Sequence, residues 1–179
     1  LGDVYKRQDK KGHEWDRRLW VWDDVNSHWN YQKGDSVIVE IYSNCDEVEL
    51  FVNGKSMGKK YIDDFEDHIY KWAVQYKPGT ITAKGKNKLG NTTTAIRTSG
   101  KEHSILLTVD KQSIAANGKD VLHVTAQLTD KKGNPVKTTE QMLKFNIDGE
   151  YRLLGIDNGN VKNVSPYQSK DIMLSLIHI

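Results

Sequence analysis

Apolar residues recur at every second position through most of this chain, broken by turn signals roughly every ten residues. A period of two puts alternate side chains on opposite faces of an extended strand, and no stretch repeats with the helical period. Val37, Val39 and Ile41 share one face of a strand predicted over residues 36–42. Val48, Leu50 and Val52 do the same over residues 48–52, with Glu49 and Phe51 opposite. Asn53-Gly54 then supplies the pair that a type I′ turn requires, since both central positions take positive φ, and residues 55–61 return. Further strands are predicted at 68–76, 80–86 and 92–98, with turns at Lys77-Pro78-Gly79 and around Leu89-Gly90-Asn91. About seven short strands between Ser36 and Thr98 make a complete small sandwich.

Ser99-Gly100-Lys101-Glu102 reads as a linker, and a second set of strands follows at 104–109, 121–128, 142–147 and 151–156. Leu122, Val124, Ala126 and Leu128 point inward against His123, Thr125 and Gln127. Asn117-Gly118, Lys132-Gly133-Asn134-Pro135 and Asn158-Gly159 mark the turns. A sandwich needs about seven strands and this region supplies about four to six, so the second domain reads as truncated.

Charge narrows the function. With 26 Lys+Arg against 24 Asp+Glu, the net +2 builds no basic face for nucleic acid. No apolar run approaches the ~20 residues that span a bilayer, so no membrane partner is expected. Cys45 is the one cysteine, which excludes an intrachain disulfide and a thiolate metal cluster. Lying between Asn44 and Asp46 in a turn, it has no neighbouring base to activate it and reads as an incidental free thiol. The acidic pairs Asp23-Asp24, Asp46-Glu47 and Asp63-Asp64 are sequence neighbours whose side chains diverge on an extended chain, so none serves as a catalytic pair. His28 lacks partners at ligand spacing, and neither a metal nor a cofactor is expected.

The tryptophans are unevenly placed. Trp15, Trp20, Trp22 and Trp29 crowd into the lead-in, and Trp72 alone follows. Aromatic faces stack on sugar rings and an indole N–H is an oriented donor. A dense aromatic patch in a lead-in also suits burial against a neighbouring domain, which is the favoured reading.

An ordered series of short motifs carries a resemblance. His28-Trp29-Asn30-Tyr31, Tyr42-Ser43-Asn44, residues 47–58, Trp72-Ala73-Val74, Tyr76-Lys77-Pro78-Gly79, Ala83-Lys84-Gly85 and Thr98-Ser99-Gly100 follow one another. Ala116-Asn117-Gly118-Lys119-Asp120, residues 129–136 and Gly155-Ile156-Asp157-Asn158-Gly159-Asn160 complete the series. The whole resembles the region C-terminal to the catalytic barrel in glycoside hydrolase family 2 enzymes of the β-galactosidase type, ending in an invasin-like module. The resemblance implies an all-β chain of two tandem immunoglobulin-like β-sandwich domains, at residues 15–99 with the aromatic lead-in and at 100–173, the second truncated. Residues 1–14 and 174–179 read as non-native or linker segments, since both ends resemble translated sequencing-adapter DNA.

The resemblance further implies a non-catalytic accessory region of a retaining hydrolase of β-linked glycosides, buttressing a barrel that is not in this sequence. The barrel's two glutamates match no position here, so no catalytic residue is carried over. Trp20, Trp22, His28 and Trp29 are the candidates for contact with sugar or with the barrel, the two implied partners. The alternative is a carbohydrate-binding or adhesin-type module with no enzyme attached. A periplasmic, secreted or cytoplasmic bacterial location fits the resemblance equally.

Overall fold

The computed structural model describes residues 4–5, 25–159 and 164–174. The chain divides into two compact units, Leu1–Thr98 and Ser99–Ile179. Among the described residues there is no α-helix; the first unit holds β1 (Val4–Tyr5), β2 (Val25–Asn26), β3 (Ser36–Tyr42), β4 (Glu47–Val52), β5 (Lys55–Tyr61), β6 (Ile69–Gln75), β7 (Thr80–Asn87) and β8 (Gly90–Arg97). They form two four-stranded antiparallel sheets, in the orders β2-β1-β3-β6 and β5-β4-β7-β8.

The period-2 pattern explains why these segments pair. Val37, Val39 and Ile41 of β3 and Tyr70, Trp72 and Val74 of β6 are buried from one sheet; Val48, Leu50, Val52, Ile81 and Ala83 are buried from the other, in the same cluster. Each strand thus removes one apolar row from water, at about 1.5–3 kcal/mol per large side chain. Between Ser36 and Thr98 there are six strands where the sequence suggested about seven.

The Asn53-Gly54 hairpin forms as its residues dictate. Asn53 and Gly54 take φ of 51° and 79°, and Val52 pairs with Lys55 across the turn. The Asn53 side chain also reaches beyond its own hairpin. Its amide Nδ2 donates to Pro78 O (2.9 Å) and its Oδ1 accepts from Thr80 N–H (2.7 Å). The turn is therefore bolted to the Pro78–Thr80 loop that enters β7.

Cys45 lies in the β3–β4 connection as expected, but its side chain points into the core and is 3 % exposed. Room for it comes from Gly85, where a Cβ would stand 2.6 Å from the sulfur. The buried Tyr70 hydroxyl donates to Cys45 O (2.7 Å), and burial, ahead of nearby Cys45 and acidic groups, pushes the phenol up to about 12. Tyr70→Phe is expected to lower the stability of this unit by about 1–2 kcal/mol, since it leaves a buried carbonyl without its donor. Urea denaturation of the two proteins measures that difference.

The second unit contains β9 (Glu102–Val109), β10 (Val124–Asp130), β11 (Gln141–Lys144) and β12 (Asp171–Leu174), paired as two separate two-stranded ribbons, β9 with β10 and β11 with β12. Leu128, Val136 and Leu143 make a small core, with Ala126 and Phe145 against it. Three expectations need correction here. Residues 151–156 form no strand: Ile156 N–H donates to Tyr167 O (2.6 Å), but no ladder continues from it. β11 ends at Lys144 rather than at residue 147, although Phe145 N–H still reaches Lys170 O (2.9 Å). β10 starts at Val124, because Asp110 closes the ribbon by accepting from His123 N–H (2.8 Å). Of the four β10-region residues expected inward, Leu128 is buried while Leu122 and Val124 are exposed, since no second layer faces them among the described residues.

Asp130 organises the turn after β10. Its carboxylate accepts from the N–H groups of Gly100, Lys132 and Asn134 (2.9, 2.8 and 2.9 Å) and from the Asn134 amide (3.1 Å). The Gly100 N–H, first, and the Asn134 amide hold this carboxyl well below the usual carboxylate range. A carboxyl whose folded pKa is depressed adds stability above its unfolded pKa of 3.8 and loses it as pH falls below that value. The second unit should therefore lose stability below about pH 4, and Asp130→Asn should flatten that acid limb while lowering the midpoint at neutral pH. Thermal melts of both proteins from neutral pH down to about pH 3 provide the check.

Candidate functional site

The candidate residues fall on both sides of the described boundary. Trp20 and Trp22, like Trp15, lie outside the described residues. His28 and Trp29 lie within, on the segment that runs from β2 to β3. The expectation grouped Trp29 with residues facing sugar or a barrel, but the structure buries it completely, at 0 % exposure, in the core of the first unit. The physical reason is local: the indole packs with the core against Tyr31 and Tyr76, and its N–H finds an acceptor in Lys77 O.

Trp29 sits edge-on to Tyr31 and Tyr76, with centroids 5.8 and 5.2 Å away, and the two tyrosines meet each other at 5.7 Å. Three mutually tilted rings pair positive edges with negative faces. The indole N–H donates to Lys77 O (3.1 Å). Thr98 then ties the corner together: its hydroxyl donates to Trp29 O (2.7 Å) and accepts from Gly79 N–H (3.0 Å). Because that hydroxyl has only one proton, Tyr76 must donate across the 3.2 Å contact to it. Burial raises the Tyr31 phenol well above its ordinary range, opposed by a hydrogen bond with Asn26.

His28 is half-buried beside this cluster. Its Nδ1 accepts from Asn30 N–H (3.1 Å), so the neutral ring carries its proton on Nε2, and the ring lies 5.1 Å from Tyr31. The structure thus brings His28 and Trp29 to one corner and adds Tyr31, Tyr76, Lys77 and Thr98. Those four stand in the sequence motifs, but adjacency in space across 69 residues, as between Trp29 and Thr98, leaves no local signal.

A second aromatic group involves Lys60. The Lys60 ammonium lies over Phe65 and Trp72 (5.2 and 5.4 Å from the centroids) and donates to Lys71 O (2.7 Å). The cation that such rings could recognise is already the protein's own. The buried Trp72 indole N–H has no partner among the described residues.

The acidic pairs are used for structure. Glu47 bridges to Lys59 (2.8 Å), and Asp64 accepts from Tyr61 N–H (2.9 Å) at a 3₁₀ turn, Ile62–Asp64. Asp23 and Asp24 lie outside the described residues. Asp157 accepts from Asn158 N–H (2.8 Å), and the Asn158 amide donates to Met173 O (2.6 Å), which ties this turn to β12. Among the described residues no group of three or more His, Cys, Asp or Glu is placed to hold a metal ion. The cavity between the sheets is about 20 Å³ and lined by apolar residues including Leu50 and Ile81, room for about one water and no sugar.

The described residues form an all-β chain of two units, and comparison with known proteins identifies the family. Residues 34–94 match a domain of unknown function, DUF4982, and residues 105–175 match the glycoside hydrolase family 2 C-terminal domain 5. The chain belongs to glycoside hydrolase family 2, as C-terminal domains. It is 36 % identical over 146 residues to β-galactosidase BoGH2A of Bacteroides ovatus, covering 80 % of this chain and 17 % of that protein. It is 30 % identical over 139 residues to a putative β-glucuronidase of Formosa agariphila, covering 74 % of this chain and 13 % of that one. A solved family 2 member from Bacteroides cellulosilyticus superposes with a TM-score of 0.79 at 30 % identity, over 96 % of this chain and 23 % of that structure. The chain therefore spans under a quarter of each of these relatives, and forms part of a larger family 2 chain with other domains.

Proposed function

We propose that this chain is the non-catalytic C-terminal region of a retaining β-glycoside hydrolase, two immunoglobulin-like β-sandwich domains that buttress a catalytic barrel carried elsewhere in the parent polypeptide. The observation that carries the reading is the tandem match: both domain models fall in order on one chain, and aligned relatives are named β-galactosidase and β-glucuronidase. A retaining glycosidase needs two carboxyl groups about 5–5.5 Å apart across the scissile bond. The carboxylates of Glu47, Asp64 and Asp130 are instead held by a lysine or by backbone N–H groups. His28, Trp20 and Trp22 remain candidates for contact with the barrel.

The binding-module alternative draws less support, because one of its candidate rings, Trp29, is fully covered and offers no face to a sugar. β-Galactosides are the first substrate class to try and β-glucuronides the second. The test compares the parent protein with residues 1–179 on nitrophenyl β-galactoside and β-glucuronide. Turnover is expected from the parent and none from the 179-residue chain, and removal of residues 25–174 from the parent should lower its activity or its melting temperature. A parent that hydrolyses neither substrate, paired with oligosaccharide binding by the 179-residue chain in calorimetry, would favour the binding module instead.

A further inference from the structure

The chain places asparagine directly before glycine at Asn53-Gly54, Asn117-Gly118 and Asn158-Gly159. An asparagine so placed can react with its own backbone. The next amide nitrogen attacks the side-chain carbonyl carbon and closes a succinimide ring. Glycine favours the attack because it has no Cβ to shield its nitrogen. The rate then depends on local geometry. The carbonyl oxygen needs donors for the charge that develops on it, the amide nitrogen must be free to leave, and water must reach the ring.

The three pairs differ sharply on these conditions. The Asn53 amide donates to Pro78 O (2.9 Å) and its Oδ1 accepts from Thr80 N–H, so the nitrogen that would depart is tied down. Asn158 is buried, at 7 % exposure, and its amide donates to Met173 O (2.6 Å). Asn117 is the reverse case. Its Oδ1 accepts from the N–H groups of Lys119 and Asp120, both at 2.9 Å. Two backbone donors converging on one carbonyl oxygen are the arrangement that stabilises an oxyanion. Neither the Asn117 amide nitrogen nor the Gly118 N–H has a hydrogen-bond partner among the described residues. Both residues are exposed, and nothing lies within 4 Å of the place where a Gly118 Cβ would stand.

We propose that Asn117 is a self-modification site, converted through a succinimide with Gly118 into aspartate and isoaspartate. The Gly118 nitrogen bonds to Asn117 Cγ, its proton passes through water to the departing Nδ2, the Cγ–Nδ2 bond breaks, and ammonia leaves. A water molecule then opens the ring. Cleavage of the new Cγ–N bond leaves aspartate, and cleavage of the original peptide C–N bond leaves isoaspartate. Nothing is oxidised or reduced. The two products differ in consequence. Aspartate keeps an oxygen on the Lys119 and Asp120 N–H groups, whereas isoaspartate draws Cγ into the main chain and displaces that oxygen. Asp120, which accepts from Ala115 N–H (3.0 Å) and pairs with Lys111, then loses the bond that seats its own N–H.

Peptide mapping by mass spectrometry, on the 179-residue chain held in mildly alkaline buffer, tests this. In the folded chain Asn117 should convert about tenfold or more faster than Asn53 or Asn158, whose side chains react only after their hydrogen bonds open. In urea those bonds are gone and the three rates should come together. The Asn117 peptide should separate into aspartyl and isoaspartyl forms, and the isoaspartyl form should exchange the Lys119 and Asp120 amides faster. Asn117→Gln should silence the site, because its ring would need a further member. Gly118→Ala should slow it by shielding the nitrogen, and serves if the Gln variant disturbs the turn. Equal rates at the three asparagines in the folded chain overturn the proposal, as does a preference for Asn117 that persists in urea. Aspartate formed without isoaspartate, at a rate indifferent to Gly118→Ala, means direct hydrolysis by water and overturns it too.

Discussion

Replacing Trp29 by alanine is expected to remove about 3–5 kcal/mol from the stability of the first unit, the range for emptying a buried large aromatic site. Domains have about 5–15 kcal/mol to lose, so the variant should be largely unfolded near physiological temperature. The loss has two sources. The ring fills the core against Tyr31 and Tyr76, and its indole N–H donates to Lys77 O. Trp29→Phe separates them: it keeps a ring in place but removes the donor to Lys77 O, and should cost about 1–2 kcal/mol. Urea titration followed by circular dichroism measures both. A Trp29→Ala midpoint within error of the parent sequence would show that the lead-in contributes nothing to this core. For the same reason, removing residues 1–29 should destabilise the unit, the reverse of what a purely barrel-facing Trp29 implies.

The second large effect is expected at Gly79. Its φ of 135° lies where side-chain-bearing residues are strained, and a Cβ there would run into the Asn53 amide, with Cγ at 2.7 Å. Asn53 cannot step aside without giving up its bonds to Pro78 O and Thr80 N–H. Gly79 also exchanges two bonds with Thr98, its N–H to the hydroxyl and its carbonyl from the Thr98 N–H (2.8 Å). Gly79→Ala should therefore destabilise the unit by about 2–4 kcal/mol, combining backbone strain with overpacking. Gly54→Ala is the informative comparison: its φ of 79° is also positive, yet nothing lies within 4 Å of the added carbon, so it should cost about 1 kcal/mol. Thermal melts that rank the two variants equally would mean that the Asn53 clamp carries no weight.

Strand positions in the first unit were legible because each is a one-dimensional pattern. The segments Ser36–Tyr42 and Lys55–Tyr61 begin and end where the alternation and the turn residues place them. Asn53-Gly54 was readable for the same reason, since its requirement is local to two residues. The role of the Asn53 side chain was not, because its partners lie 25 and 27 positions away. Trp29 shows the limit most clearly. An aromatic residue in a lead-in looks the same in sequence whether it covers its own domain or a neighbour. In the second unit, alternation over residues 121–128 was read as an inward row, which holds at Leu128 and fails at Val124. A pattern states which face is apolar; whether anything covers that face depends on residues elsewhere.

The buried thiol of Cys45 has a practical consequence. It is the one cysteine in 179 residues, and its side chain is 3 % exposed and packed over Gly85. A thiol reagent can reach it only when the β3–β4 corner opens, so the labelling rate under native conditions is a clock for that opening. The first unit thus carries its own stopwatch, readable by the mass added to a single atom and blind to anything that unfolds in the second.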